Sequence, residues 1–131
     1  MRPHVLVTGA TGFLGGHFLR YLLRCSGANV IALTRSTPDA AHHTRLAHLE
    51  QIYPGRIRYV AGDVRLPDLG IDAEARAMFR EVDTVWHFAA DTRFEPLLRD
   101  ELFRVNLEGT RNVLAFARTL NGLCHFYHVS T

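Results

Sequence analysis

The run Thr8-Gly9-Ala10-Thr11-Gly12-Phe13-Leu14-Gly15 constrains the fold more than any other stretch of the chain. It follows the apolar Val5-Leu6-Val7 and precedes a segment in which Phe13, Leu14, Phe18, Leu19, Leu22 and Leu23 recur at helical spacing. Strand, glycine turn and helix in that order give each glycine a task. Gly9 takes the backbone angles of the tight turn. Gly12 has no side chain to hold a pyrophosphate away from the backbone, and Gly15 lets the helix lie close to the sheet. The free N–H groups of the helix's first turn, reached through Thr11, Phe13 and Leu14, then offer partial positive charge to phosphate. The spacing is Gly-x-x-Gly-x-x-Gly, one residue longer at the first gap than the commonest dinucleotide fingerprint. The alternative is a glycine turn that packs strand on helix and binds nothing.

The rest of the chain repeats the alternation. Apolar runs predict strands over 4–8, 29–34, 56–61, 84–89 and 124–129. Helical periodicity predicts helices over 12–25, 39–52, 72–81 and 98–120, the first closed by Gly27 as C-cap. The third is expected to bury Ala75, Met78, Phe79 and Val82. The last is expected to bury Leu102, Val105, Leu107, Val113, Leu114 and Ala117, with breaks at Asn106 and Gly109. Pro67–Gly70 and Asp91–Pro96 read as loops. Strands alternating with helices imply an α/β doubly wound parallel sheet of order 3-2-1-4-5.

Composition removes several function classes. With 131 residues the chain supports one domain with a sizeable core. A net charge of +2 with scattered arginines and no basic run argues against nucleic acid as a partner. No apolar run is long enough to span a membrane, and no signal peptide precedes the first strand. Cys25 and Cys124, one at a predicted helix end and one in a predicted buried strand, read as reduced structural thiols of a cytoplasmic protein. The eight histidines complete no metal-ligand set: His42, His43 and His48 lie on one polar helix, and His43 and His48 miss the i, i+4 spacing. No metal is expected.

In a doubly wound sheet the ligand lies at the carboxyl ends of the strands, so the residues there form one constellation. Strand two is followed by Thr34-Arg35-Ser36, with no carboxylate. Arg35 can pair bidentately with a ribose 2′-phosphate, which an acid would repel, so NADP is favoured over NAD. The alternative is a solvated arginine after a strand. Strand three is followed by Asp63-Val64. Asp63 can accept from the adenine amino group while Val64 packs on the ring; alternatively Asp63 closes a turn on its own backbone. Strand four ends in Phe88-Ala89-Ala90, whose small residues let backbone approach the ribose and nicotinamide, or simply fill a core.

Taken together, the glycine run, Gly62-Asp63-Val64, His87-Phe88-Ala89-Ala90, Asn106-x-x-Gly109-Thr110 and His128-Val129-Ser130-Thr131 resemble the extended short-chain dehydrogenase/reductase family along the whole chain. Leu69-Gly70-Ile71 and Val85 to Phe94 resemble its branch of thioester reductase domains and fatty acyl-CoA reductases; nucleotide-sugar epimerases and dehydratases are the alternative branch. The resemblance implies an NADP-dependent oxidoreductase that passes hydride to a small-molecule carbonyl or acyl thioester. Thr131 matches the family's Ser/Thr that binds the substrate oxygen, and a hydroxyl there can donate to a developing oxyanion. Asn106 matches a helix residue that contacts the cofactor region, or else is a kink residue bonding its own backbone.

One departure is large. The family's Tyr-x-x-x-Lys is absent, and the sequence has no lysine at all. The chain therefore reads as the cofactor-binding part of a longer enzyme. Taken alone it is either inactive or a non-catalytic NADP-binding module. The outer edge of strand five, paired in the family, is then expected to invite self-association.

Overall fold

The computed structural model describes residues 2–35, 40–93 and 95–130. Five strands, β1 (His4–Thr8), β2 (Asn29–Thr34), β3 (Ile57–Ala61), β4 (Thr84–His87) and β5 (His125–His128), form one parallel sheet of order β3-β2-β1-β4-β5. The helices are α1 (Phe13–Cys25), α2 (Ala40–Ile52), α3 (Ala73–Arg76), α4 (Arg99–Phe103) and α5 (Gly109–Ala117). The predicted class and strand order are those observed.

The period-2 alternation of β1 builds the two cores. Leu6 points to one face, where it packs with Phe79, Val85, Val113 and Phe116; Val5 and Val7 point to the other, against Leu19, Leu23, Leu46 and Leu49. Both faces are covered, so β1 and β2 carry the continuous apolar runs Val5-Leu6-Val7 and Val30-Ile31-Ala32-Leu33. β1 pairs with both β2 and β4, Val7 lying opposite Ala32 on one side and Trp86 on the other. That register aligns the ends of the three strands on one edge.

Helix ends depart from the sequence reading for chemical reasons. α1 is closed by Ser26, not Gly27: the Ser26 backbone N–H and hydroxyl both donate to the Leu22 carbonyl. Arg56 completes the cap by donating to the carbonyls of Leu23, Ser26 and Ala28. The third predicted helix is one α turn, capped by the Asp72 carboxylate accepting from the Ala75 N–H, followed by a 3-10 turn over Ala77–Phe79. Phe79 and Val82 are buried as expected, whereas Met78 is exposed. Pro67–Gly70, read as a loop, is a tight turn in which Asp68, Leu69 and Gly70 all have positive φ and the Leu69 side chain is wholly buried.

The last predicted helix is not continuous α-helix. A π turn over Arg104–Glu108 separates α4 from α5, and α5 stops at Ala117 rather than at Leu120. The extra residue of the π turn rotates the helix face. Val113, Phe116 and Ala117 are therefore buried, whereas Leu107 and Leu114, predicted inside, are exposed, as is Phe103. β5 pairs only with β4 among the described residues, as the strand order predicts, but it is not the buried strand expected: His125, Tyr127 and His128 are exposed. Cys124 lies just before it and is exposed, as is Cys25, so neither thiol is a core group. No helix among the described residues is long and apolar enough to cross a membrane.

Candidate functional site

The turn after β1 is built as its glycines require. Gly9 has φ of 72°, a conformation open to glycine at no steric cost. Its carbonyl accepts the Gly12 N–H at 3.0 Å. Gly12 is the N-cap of α1 in extended geometry, with no side-chain cap, and the first turn of the helix carries no acidic residue. Its free N–H groups and dipole therefore face outward uncompensated. Gly15 packs against the same turn: a Cβ there would lie 2.1 Å from the Gly9 carbonyl oxygen.

The strand ends surround a cavity of about 570 Å³. It brings together nine of the residues expected from sequence: Gly9, Thr11, Gly12, Arg35, Asp63, Val64, Phe88, Ala89 and Ala90. Phe13, Leu14, Gly15 and Asn106 do not line it. Phe13 and Leu14 are 85% and 55% exposed, on the face of α1 turned away from the sheet; only their backbone N–H groups can serve the cavity. Thr131 lies outside the described residues. Among the described residues, no group of three His, Cys, Asp or Glu is placed to hold a metal ion.

Sequence reasoning missed how the cavity's charges are arranged. Asp63 closes a turn by accepting the Arg65 N–H at 2.9 Å, and its carboxylate is gripped by the same guanidinium, 2.7 Å at Nη2. Arg65 reaches on to Glu101 of α4 at 3.0 Å. The Arg65 hydrogen bonds hold the Asp63 carboxyl below its usual range. Asp91 and Arg93 repeat the motif after β4: the Arg93 N–H and Nε donate to Asp91 Oδ1 at 3.1 and 2.8 Å, and Arg93 brings the Asp91 pKa down to about 2. The shared Asp-x-Arg spacing was the available signal. Arg65 and Arg93 are thus spent on carboxylates, whereas Arg35 has no carboxylate within ion-pair distance among the described residues.

Asn106 sits in the π turn and acts at one remove. Its side chain accepts the Asp91 N–H at 2.8 Å and donates to the Asp91 carbonyl at 2.9 Å. The backbone it binds is that of the loop opposite, not its own. At the cavity floor, Thr8, which lines it, is hydrogen-bonded to His87 behind it at 2.6 Å, and both are wholly buried. Burial first, and then the nearby charge of His128, brings the His87 pKa down to about 4.

Residues 7–131 match the model of a nicotinamide-dinucleotide-binding family described as male sterility protein. The chain belongs to that family. Within and around it, the chain is 33% identical to the fatty acyl-CoA reductase wat of Drosophila melanogaster, over 97% of this chain and 27% of that protein. The terminal R domain of the myxalamid PKS-NRPS biosynthetic pathway superposes with a TM-score of 0.78 at 31% identity, over 99% of this chain and 35% of that one. A UDP-glucuronic acid 4-epimerase from Bacillus cereus in complex with NAD superposes with a TM-score of 0.74 at 26% identity, over 98% of this chain and 40% of that one. The chain thus spans between about a quarter and two fifths of these relatives' lengths.

Proposed function

We propose that this chain is the NADP-binding part of an oxidoreductase that delivers hydride to a carbonyl carbon, an acyl thioester being the substrate class. The observation that carries the cofactor reading is Arg35. It stands at the cavity with no carboxylate within ion-pair distance among the described residues and feels Asp63 only through space, whereas Arg65 and Arg93 are already paired. A free guanidinium where an acid would serve a plain ribose suits a 2′-phosphate. The uncapped α1 N-terminus suits the pyrophosphate, and Gly12, whose added Cβ would meet only the Gly9 oxygen at 3.3 Å, leaves room for it. Asp63 and Val64 sit at the adenine end. A carboxylate has about four acceptor positions, so Asp63 can take the adenine amino group beside Arg65.

The substrate reading rests on the family, on the fatty acyl-CoA reductase and on the myxalamid R domain named above. The reduced nicotinamide of NADPH would supply hydride when bound; Thr131 would hold the substrate oxygen, and Ala89 and Ala90 leave the nicotinamide end uncrowded. An epimerase or dehydratase remains the alternative chemistry, favoured by the superposition on the NAD-bound epimerase. Taken alone, the chain acts as a binding module, since it lacks the Tyr-x-x-x-Lys acid. The open edge of β5 is a template for a second copy. The free thiols suit a cytoplasmic setting. Fluorescence titration of the purified chain with NADPH and NADH tests the central reading: tighter NADPH binding supports it, and equal affinities or no binding sink it.

A further inference from the structure

Thr8, His87 and Thr110 form a polar chain through the interior to which the nucleotide reading assigns no part. His87 Nδ1 lies 2.6 Å from Thr8 Oγ1, and His87 Nε2 lies 3.2 Å from Thr110 Oγ1. The direction of every hydrogen follows from the ends of this chain. Thr110 Oγ1 is 2.7 Å from the Asn106 carbonyl oxygen, which can only accept, so the single Thr110 proton is committed there. The Thr110 oxygen is then an acceptor, and His87 Nε2 must carry the ring proton. His87 Nδ1 keeps its lone pair, into which the Thr8 hydroxyl donates. The Thr8 oxygen in turn accepts the backbone N–H of Ala89 at 3.2 Å. At the far end, the Asn106 side chain grips both backbone polar groups of Asp91. The hydrogen-bonded chain therefore runs from Ala89 to the backbone carbonyl of Asn106, and the side chain of that same residue holds Asp91; Ala89 and Asp91 flank Ala90 in the cavity wall.

We propose that this relay of side chains sets the backbone of residues 89–91 for the bound dinucleotide, with His87 and Thr110 as positioning residues. The inference rests on reading the cavity as the cofactor site. Thr110 does not line the cavity; it stands in the first turn of α5. What happens on that helix thus reaches the cavity floor through two hydroxyls and one imidazole. The relay admits one ring tautomer only. A proton on Nδ1 would turn the Thr8 hydroxyl away and loosen the acceptor that holds Ala89.

Thr110→Val deletes the hydroxyl at nearly constant volume, and Thr110→Ser restores it. The full chain is read three ways: ring-nitrogen NMR of His87, amide hydrogen exchange at Ala89 and Asp91 without ligand, and NADPH titration. The wild-type ring is expected to be neutral and protonated on Nε2. Thr110→Val is expected to exchange both amides about five- to tenfold faster and to weaken NADPH by a similar factor, the size of one lost hydrogen bond. Thr110→Ser recovers both, which a mere change of packing would not predict. A ring protonated on Nδ1, unchanged exchange in Thr110→Val, or no recovery in Thr110→Ser overturns the relay. A wild type that binds no NADPH overturns the nucleotide reading instead, while the ring and exchange measurements still decide the relay.

Discussion

The Cβ that Gly15 lacks would sit 2.1 Å from the carbonyl oxygen of Gly9, and 3.3 Å from the Cβ of Phe88. Helix, turn and β4 meet there with no room for a methyl group. Gly15→Ala is therefore expected to destabilise the fold by about 3 kcal/mol, the upper part of the range for overpacking. Gly12 differs: its φ of −78° suits any residue, and an added Cβ meets only the Gly9 oxygen at 3.3 Å. Gly12→Val should keep wild-type circular dichroism and lose the dinucleotide. Chemical denaturation and NADPH titration of both variants separate the two roles, and a Gly12→Val variant that binds normally refutes the phosphate assignment.

Arg35 is expected to set cofactor preference. Arg35→Asp removes a charge-assisted pair with a 2′-phosphate and installs a repulsive acid, so NADPH should weaken about ten- to a hundredfold. NADH should improve, since an acid can accept from a free ribose hydroxyl. A variant with an unaltered affinity ratio would place the 2′-phosphate elsewhere.

His87 should make stability depend on pH in the mildly acidic range. Its folded pKa, about 4, lies below its ordinary value of 6.5, so the unfolded chain binds a proton that the folded chain refuses. The stabilisation is complete above 6.5 and is lost as pH falls toward 4. At ~1.4 kcal/mol per pH unit, the gap has a ceiling of about 3 kcal/mol. Asp91, with a folded pKa of about 2, acts in a lower window, its contribution being lost below the ordinary carboxylate range. Denaturation midpoints measured from pH 7 to pH 4 should fall for the wild type and fall less for His87→Gln. Parallel curves would show that His87 does not titrate as described.

The chain on its own is expected to show no steady NADPH oxidation with aldehydes or acyl thioesters. Without the Tyr-x-x-x-Lys acid the transition state forfeits about 10²–10⁴-fold. The same molecule should self-associate, because β5 presents an open edge and Phe103, Leu107 and Leu114 are exposed nearby in the chain. Sedimentation across a concentration series tests this, and a strictly monomeric chain at high concentration would exclude it. Turnover by the isolated chain would overturn the catalytic half.

Periodicity and punctuation carried most of the architecture. The strands of β1 and β2 were legible to the residue because buried parallel strands are continuous apolar runs with sharp polar ends, and the alternation of strand and helix dictates the sheet order. The glycine loop was legible because its needs are local: one positive φ at Gly9 and one missing Cβ at Gly15. Nine of the residues that share the cavity were likewise predictable, since strand ends of a doubly wound sheet converge. What stayed hidden depends on partners distant in sequence. Nothing local says that Arg65 is spent on Asp63 and Glu101 while no carboxylate among the described residues comes within ion-pair distance of Arg35, or that Arg56 caps a helix some thirty residues earlier. Nothing local distinguishes Leu107 and Leu114 from Val113, because only the π turn decides which face of the helix meets the sheet. The direction of each hydrogen between Ala89 and the Asn106 carbonyl is also beyond the sequence. It is set where a carbonyl on one helix can only accept, and tertiary contact alone carries that constraint across Thr110 and His87 to the cavity floor.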